Sequence, residues 1–309
     1  MNKKNVLTVK NLNKTYQKKG SNPVTAIENL NLNVQQGEIF GLLGPNGAGK
    51  TTFINILSGS VMKTSGFVEV WGFNLDKNPR QVRASIGIVA QDVNLDPFFT
   101  PESLLDLQAG LYGIKKKDRI TSKILNLVSL EKQAKSYARS LSGGMKRRLM
   151  VAKSLVHQPP IIILDEPTAG VDVELRQNLW KNVKTLNQEG VTIILTTHYL
   201  EEAEKMCDRI GILNKGNLVA LDTTQKLLEK IQIKKISIKV NNRVNINENK
   251  FKTLKIVSST NDEINLSYDK NELKIDQIIK LIEENGARIL DLSTDDGDLE
   301  DVFLSLTKS

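Results

Sequence analysis

Short runs that are apolar at nearly every position alternate along this chain with stretches whose apolar residues recur every three to four positions. Residues 5–9, 39–43, 86–89, 161–164, 192–195 and 210–213 read as strands; several are apolar at nearly every position, as expected for strands buried on both faces of a sheet. Residues 50–57, 103–112, 119–128, 144–157 and 174–188 read as helices; in the fourth, Met145, Leu149, Ala152 and Val156 fall near the 3.6-residue period. Strand–helix alternation through about residue 221 predicts an α/β core built on a mainly parallel sheet.

Beyond residue 230 the pattern changes. Asn, Lys, Asp and Glu dominate 241–252, and the expected strands become short, at 237–240, 254–258 and 263–267. A helix at 275–284 is closed by Asn285-Gly286, a left-handed C-cap pair. A strand at 289–292 and a helix at 299–306 follow, so residues 231–309 read as a small α+β accessory domain. No internal duplication is visible.

The 309 residues are 39% apolar and 25% charged, enough for a core and too balanced for a disordered or collagen-like chain. No apolar stretch approaches the roughly 20 residues of a membrane-crossing helix, and the N-terminus leads into a strand pattern without a signal-peptide apolar region. One cysteine, Cys207, leaves no disulfide partner and no multi-thiolate zinc site. It suits a reducing cytosol and reads as a small buried side chain. A net charge of +8 favours anionic partners, although Lys115-Lys116-Lys117 and Lys234-Lys235 read as solvated surface.

Gly44-Pro45-Asn46-Gly47-Ala48-Gly49-Lys50-Thr51 fits G-x-x-x-x-G-K-[ST] between an expected buried strand and an expected helix. Glycines let the backbone wrap phosphate oxygens and turn successive N–H groups inward, and the helix N-terminus adds partial positive charge. Lys50 suits the β- and γ-phosphates, and the Thr51 hydroxyl suits Mg2+. The pattern predicts a nucleoside triphosphate site. Further on, the buried run 161–164 ends in Asp165-Glu166 at the carboxyl edge of its strand, where open α/β sheets bind ligands. Asp165 suits water-mediated Mg2+ binding, and Glu166 suits accepting a proton from an attacking water.

Leu141-Ser142-Gly143-Gly144-Met145 opens the fourth helix and forms a second anion-ready helix N-terminus. This run resembles the signature of ABC-type ATPases, a family with a P-loop core, an antiparallel β subdomain and a helical subdomain. The resemblance implies ATP as substrate and Mg2+ as cofactor. It places Tyr16, Gly44, Pro45, Asn46, Gly47, Ala48, Gly49, Lys50, Thr51 and Thr52 on the nucleotide, with Tyr16 stacked on adenine. Glu166, His198, Gln91 and Lys50 are the implied catalytic set, and Thr51, Gln91 and Asp165 the implied metal set. Ser142, Gly143, Gly144 and Asp172, the last in Ala169-Gly170-Val171-Asp172, would reach the ATP of a second copy or sister subunit arranged head to tail. Met145 stands where many relatives carry glutamine, and Gly170-Val171 where Ala-Leu is commoner.

The likeness covers residues 5 to about 225 and returns at Leu299-Glu300-Asp301-Val302-Phe303-Leu304-Ser305-Leu306-Thr307, resembling subunits of ABC-2-type exporters of the drug- and antibiotic-resistance group. It implies a nucleotide-binding domain over 5–230, its helical subdomain over about 92–144, and the accessory domain over 231–309. It also implies ATP-driven efflux through a separate multi-spanning permease, with the chain peripheral on the inner face of the cell membrane and no nucleic-acid partner. Pro97-Phe98-Phe99-Thr100-Pro101 and Leu111-Tyr112 are the expected docking patch. The alternatives are a soluble ABC ATPase acting on ribosomes or nucleic acid, an importer subunit, and a regulatory subunit that binds ATP without turnover.

Overall fold

The computed structural model describes residues 4–17, 20, 22–168, 173–242, 244, 253–295 and 297–307, without the side chains of 173–175. Its contacts cluster into two compact units, Met1–Thr223 and Thr224–Ser309.

The first unit opens with β1 (Asn5–Tyr16), β2 (Val24–Gln35), β3 (Ile39–Leu43), α1 (Lys50–Ser58), β4 (Ser65–Val70) and β5 (Phe73–Asn74). Then come α2 (Pro79–Ala84), β6 (Ile86–Val89), α3 (Pro101–Leu111), α4 (Thr121–Leu127), α5 (Gly143–Leu155) and β7 (Ile161–Asp165). It closes with α6 (Val173–Gln188), β8 (Thr192–Thr196), α7 (Leu200–Met206), β9 (Arg209–Asn214) and β10 (Asn217–Thr223).

The central sheet has the order β10-β9-β3-β8-β7-β6. The five strands from β9 to β6 are parallel, and β10 returns antiparallel to β9. That hairpin turns on Lys215 and Gly216, both at positive φ, the geometry that matches strand twist. Every residue of β3, β7 and β8 is buried, which is why these runs are apolar throughout rather than alternating.

An antiparallel sheet, β2-β1-β4-β5, packs its inner side chains against α1 and the central sheet, with Leu30, Leu32, Val34, Val68 and Val70 meeting Phe40, Phe53 and Ile56. Its strands exceed what the pattern predicts. β1 continues from the expected 5–9 to Tyr16 because register shifts between Val9 and Lys14, with Asn11 at positive φ, interrupt the alternation without ending the strand. β2 follows period two, with Leu30, Leu32 and Val34 buried, but asparagines fill several of its outward positions and mask it.

The helix expected at 119–128 is shorter, because Lys116–Asp118 forms a 3-10 turn and Arg119 is extended before α4 starts at Thr121. Cys207 is buried, and a Cβ added at Gly41 would stand 2.9 Å from its Sγ. Burial holds its thiol well above the usual range, so it behaves as packing rather than as a nucleophile.

The second unit comprises α8 (Thr224–Glu229), β11 (Ile233–Val240), β12 (Lys255–Ser259), β13 (Glu263–Asp269), α9 (Ile275–Glu284), β14 (Ile289–Asp295) and α10 (Leu299–Thr307). Its antiparallel sheet has the order β12-β13-β11-β14. Strict alternation buries Ile236, Ile238 and Val240 with Ile264, Leu266 and Tyr268 against Ile278, Leu281 and Ile282 of α9. The other face is polar, with Ser237 donating to Glu263 and Lys239 paired with Asp291. No helix among the described residues is long and apolar enough to cross a membrane.

Candidate functional site

Strand register assembles the site. Val89 pairs with Leu164, and Leu164 with Leu195, at the carboxyl ends of β6, β7 and β8. Gln91 and Glu166 each lie two residues beyond a paired position, and His198 lies two beyond Thr196, the partner of Asp165. The three side chains therefore leave the same sheet edge side by side. Gln91 Nε2 donates to Glu166 Oε2 at 3.0 Å, and His198 Nδ1 stands 3.3 Å from the same oxygen. A carboxylate can only accept, so the Gln91 amide turns its nitrogen inward and leaves its oxygen outward. Glu166 has φ 47°, a left-handed conformation that costs a non-glycine residue about 1–3 kcal/mol. Its N–H donates to the Thr196 carbonyl at 3.0 Å. Thr196 also donates through Oγ1 to Asp165 Oδ1 at 2.6 Å, while burial raises the Asp165 carboxyl above its ordinary value.

The loop after β3 brings the phosphate motif to this edge. Gly49 is the N-cap of α1 at φ 107°, with no side-chain cap on the amides of the first turn. Those amides are open to an anion. Lys50 is buried and folds back on the loop, donating to the Gly44 carbonyl at 2.6 Å and the Pro45 carbonyl at 3.1 Å. Burial lowers its ammonium below the ordinary lysine range, opposed by the charges of Glu166 and Asp165. The loop closes on its surroundings through Ala48, whose carbonyl accepts from Gly216 N. Pro45, Asn46, Gly47 and Thr51 are exposed, and Tyr16, 40% exposed, donates weakly to Thr52 Oγ1 at 3.5 Å.

Ser142 caps α5, accepting from Met145 N at 3.3 Å and keeping its own hydroxyl proton available. Ser142, Gly143 and Gly144 are not brought onto the phosphate loop: among the described residues no hydrogen bond or ion pair joins the two segments. Asp172 and the rest of 169–172 lie outside the described residues. In the expected docking patch Phe98, Leu111 and Tyr112 are 69%, 75% and 39% exposed, and Tyr112 stacks on His157 with ring centroids 3.8 Å apart.

Residues 27–169 match the model of a family described as ABC transporter. The chain is 33% identical to the linearmycin resistance ATP-binding protein LnrL of Bacillus subtilis (strain 168), over 98% of both chains. The chain belongs to the ABC transporter family. It is also 37% identical to a Nod factor export ATP-binding protein I of Ralstonia nicotianae, over 72% of this chain and 68% of that protein. One similar structure is an ATP-binding subunit of an ABC transporter, with 29% identity, TM-score 0.65, and coverage of 73% of this chain and 92% of that one. Another is a dimeric ATP-binding cassette in a post-hydrolysis state with ADP and Pi, with 28% identity, TM-score 0.63, and coverage of 71% and 98%. The chain is thus an ATP-binding, ATP-hydrolysing subunit of an ABC exporter.

In this ABC ATPase the donor set fits Mg2+. Thr51 offers a hydroxyl, Gln91 its outward amide oxygen, and Asp165 an Oδ2 with no hydrogen-bond partner among the described residues. These are hard oxygen donors. No group of three or more His, Cys, Asp or Glu side chains able to hold a metal exists among the described residues.

Two residues of the ABC site escape motif reading. Thr196 binds both Asp165 and Glu166, and Arg147 on α5 donates to carbonyls around Gln91 and Glu166. The signal for Arg147 is a charged residue on a helix stripe otherwise occupied by Met150, Val151 and Ser154, all buried.

Gly49 illustrates how tightly the loop is built. A Cβ there would meet the Ala26 carbonyl at 2.5 Å while the residue holds φ 107°. Gly49→Ala should destabilise the first unit by about 1–3 kcal/mol and weaken ATP binding, as measured by thermal denaturation and nucleotide titration.

Proposed function

We propose that two copies of this chain, or one copy and a sister ATPase, bind Mg-ATP head to tail and drive a separate multi-spanning permease from the inner face of the membrane. The convergence of Gln91 and His198 on one oxygen of Glu166, at the edge that carries the phosphate loop, supports this reading most directly. The 44–49 loop, through backbone N–H groups such as those of Gly47 and Gly49, holds the phosphates with Lys50, Thr51 and Thr52, and Tyr16 stacks on the base. Ser142, Gly143, Gly144 and Asp172 complete the pocket of the partner subunit. One chain carries two anion-ready helix N-termini, α1 and α5, with no hydrogen bond or ion pair between them among the described residues, which favours that arrangement. Resemblance to a cassette determined as a dimer with ADP and Pi supports it as well.

In the chemical step Glu166 takes the proton of a water that attacks the γ-phosphorus, and the bond to the β–γ bridging oxygen breaks to release ADP and phosphate. Gln91 orients that water, and His198 and Lys50 meet charge on the γ-phosphate oxygens. Held by Thr51, Gln91 and Asp165, Mg2+ supplies charge neutralisation of the phosphates when bound. Residues 5–230 form the nucleotide-binding domain, with its helical subdomain at about 92–144 presenting Phe98 and Leu111 to the permease. Residues 231–309 form the accessory domain, which braces the dimer, and the permease selects the cargo.

Purification of the full chain from its native membranes tests the partner assignment. A multi-spanning protein should accompany it in stoichiometric amount. Recovery instead with RNA or DNA, lost as salt is raised, would overturn the assignment.

A further inference from the structure

Arg147 is 5% exposed, and among the described residues no carboxylate forms an ion pair with it. Its guanidinium is satisfied by main-chain carbonyls alone. Nε donates to the Pro167 carbonyl at 2.9 Å, Nη1 to the carbonyls of Ala90 (3.1 Å) and Gln91, and Nη2 to the Glu166 carbonyl at 2.5 Å. Four of its five N–H groups are thus spent on two loops that carry the glutamine and the glutamate of the site.

A buried charge costs several kcal/mol unless it is fully hydrogen-bonded, and an apolar side chain would fill this space on α5 without that cost. What a guanidinium adds is a rigid planar fork able to hold several acceptors from different segments at once. The acceptors lie where the backbone needs support. Glu166 sits at positive φ, with its N–H fastened to Thr196 and its carbonyl fastened to Arg147. A strained conformation persists only when its surroundings over-determine it, and here both ends of the residue are held. The next residue, Arg148, turns the other way and donates to the carbonyls of Val128 and Ser129 at the end of α4. Two consecutive arginines therefore fasten α5 to the catalytic edge on one side and to the α4 end on the other.

We propose that Arg147 is a positioning residue: it keeps the Gln91 loop, the Glu166 turn and the first turn of α5 in a single arrangement, so that movement of Gln91 on nucleotide binding is carried into the helix that Ser142 caps. The proposal rests on the roles given to Gln91 and Glu166 above. It predicts a defect in turnover rather than in ATP affinity, because among the described residues Arg147 makes no hydrogen bond or ion pair to the phosphate loop.

The test uses the full chain with Arg147→Met and Arg147→Lys. Without nucleotide, both variants should raise amide exchange in segments 90–94, 143–147 and 166–168 by about tenfold, with the central strands unchanged. Turnover should fall about 100-fold in Arg147→Met and about tenfold in Arg147→Lys, with KM for ATP within about threefold of the native value. Combined with Gln91→Ala, Arg147→Lys should be no slower than the worse single variant. Should Arg147→Met fail to fold, Arg147→Lys decides, since it keeps a charge and one or two of the bonds. Unchanged exchange at 90–94 and 166–168, native turnover in Arg147→Lys, or fully additive losses with Gln91→Ala would overturn the proposal. The exchange measurement requires no role for Glu166 in chemistry, so a fully active Glu166→Gln would refute the base assignment while leaving the positioning claim to be judged on exchange.

Discussion

Glu166→Gln should reduce ATP turnover by about a thousandfold, the middle of what a positioned general base contributes, while ATP affinity stays within about threefold of native. The substitution is chosen because it removes basicity and little else. The amide oxygen of glutamine still accepts from Gln91 Nε2 and faces His198 Nδ1, the two contacts made by Glu166 Oε2. The main-chain bonds that hold the turn, from Glu166 N to Thr196 and from Arg147 to the Glu166 carbonyl, do not involve the side chain. The phosphate loop, on the β3 connection two strands away across β8, is untouched. ATP should therefore bind, and the bound state should last longer because its exit through hydrolysis is slowed. Single-turnover phosphate release gives the rate, and on the proposed head-to-tail arrangement sedimentation in Mg-ATP should show a more persistent dimer for the variant than for native protein. Native turnover in this variant would remove Glu166 from the role of base.

Much of this site was legible because buried parallel strands leave a strong trace. The runs at 39–43 and 161–164 coincide with β3 and β7 nearly residue for residue, since burial on both faces forbids polar interruptions. The Gly-rich loop was legible for a related reason: Gly49 at φ 107° with a carbonyl 2.5 Å from any Cβ tolerates nothing else. What escaped was structure whose pattern is interrupted or whose role is main-chain. β2 hides behind asparagines on its outer face. Helices α2 and α7, of six and seven residues, are too short to display a period. Arg147 belongs to no motif because it contacts carbonyls, and carbonyls carry no sequence identity. Thr196 likewise lies just past the expected strand at 192–195 and shows no role until register places it opposite Asp165. The side-by-side delivery of Gln91, Glu166 and His198 depends on strand order β8-β7-β6, which the linear sequence does not display.

A second large effect follows from the two separated anion sites. Lys50→Met removes the ammonium at one, and Gly144→Asp sets a carboxylate at the other. Each variant alone should be inactive, with turnover below about 1% of native given the 10²–10³ that a single lost oxyanion donor costs. Gly144→Asp should nevertheless fold, because an acidic residue in the first turn of α5 complements the helix dipole. If each ATP lies between the loop of one subunit and α5 of the other, an equal mixture changes the outcome. About half of the dimers are then mixed, and each mixed dimer unites a native Lys50 with a native Gly144 at one of its two sites. About a quarter of native turnover should return on mixing, and should vanish on dilution as the subunits part. Were each chain to carry a complete site of its own, mixing could restore nothing, because no single chain in the mixture has both residues intact. A mixture no faster than the sum of its separate components, with both variants folded and dimeric, would refute the shared site. So would Gly144→Asp hydrolysing ATP at the native rate.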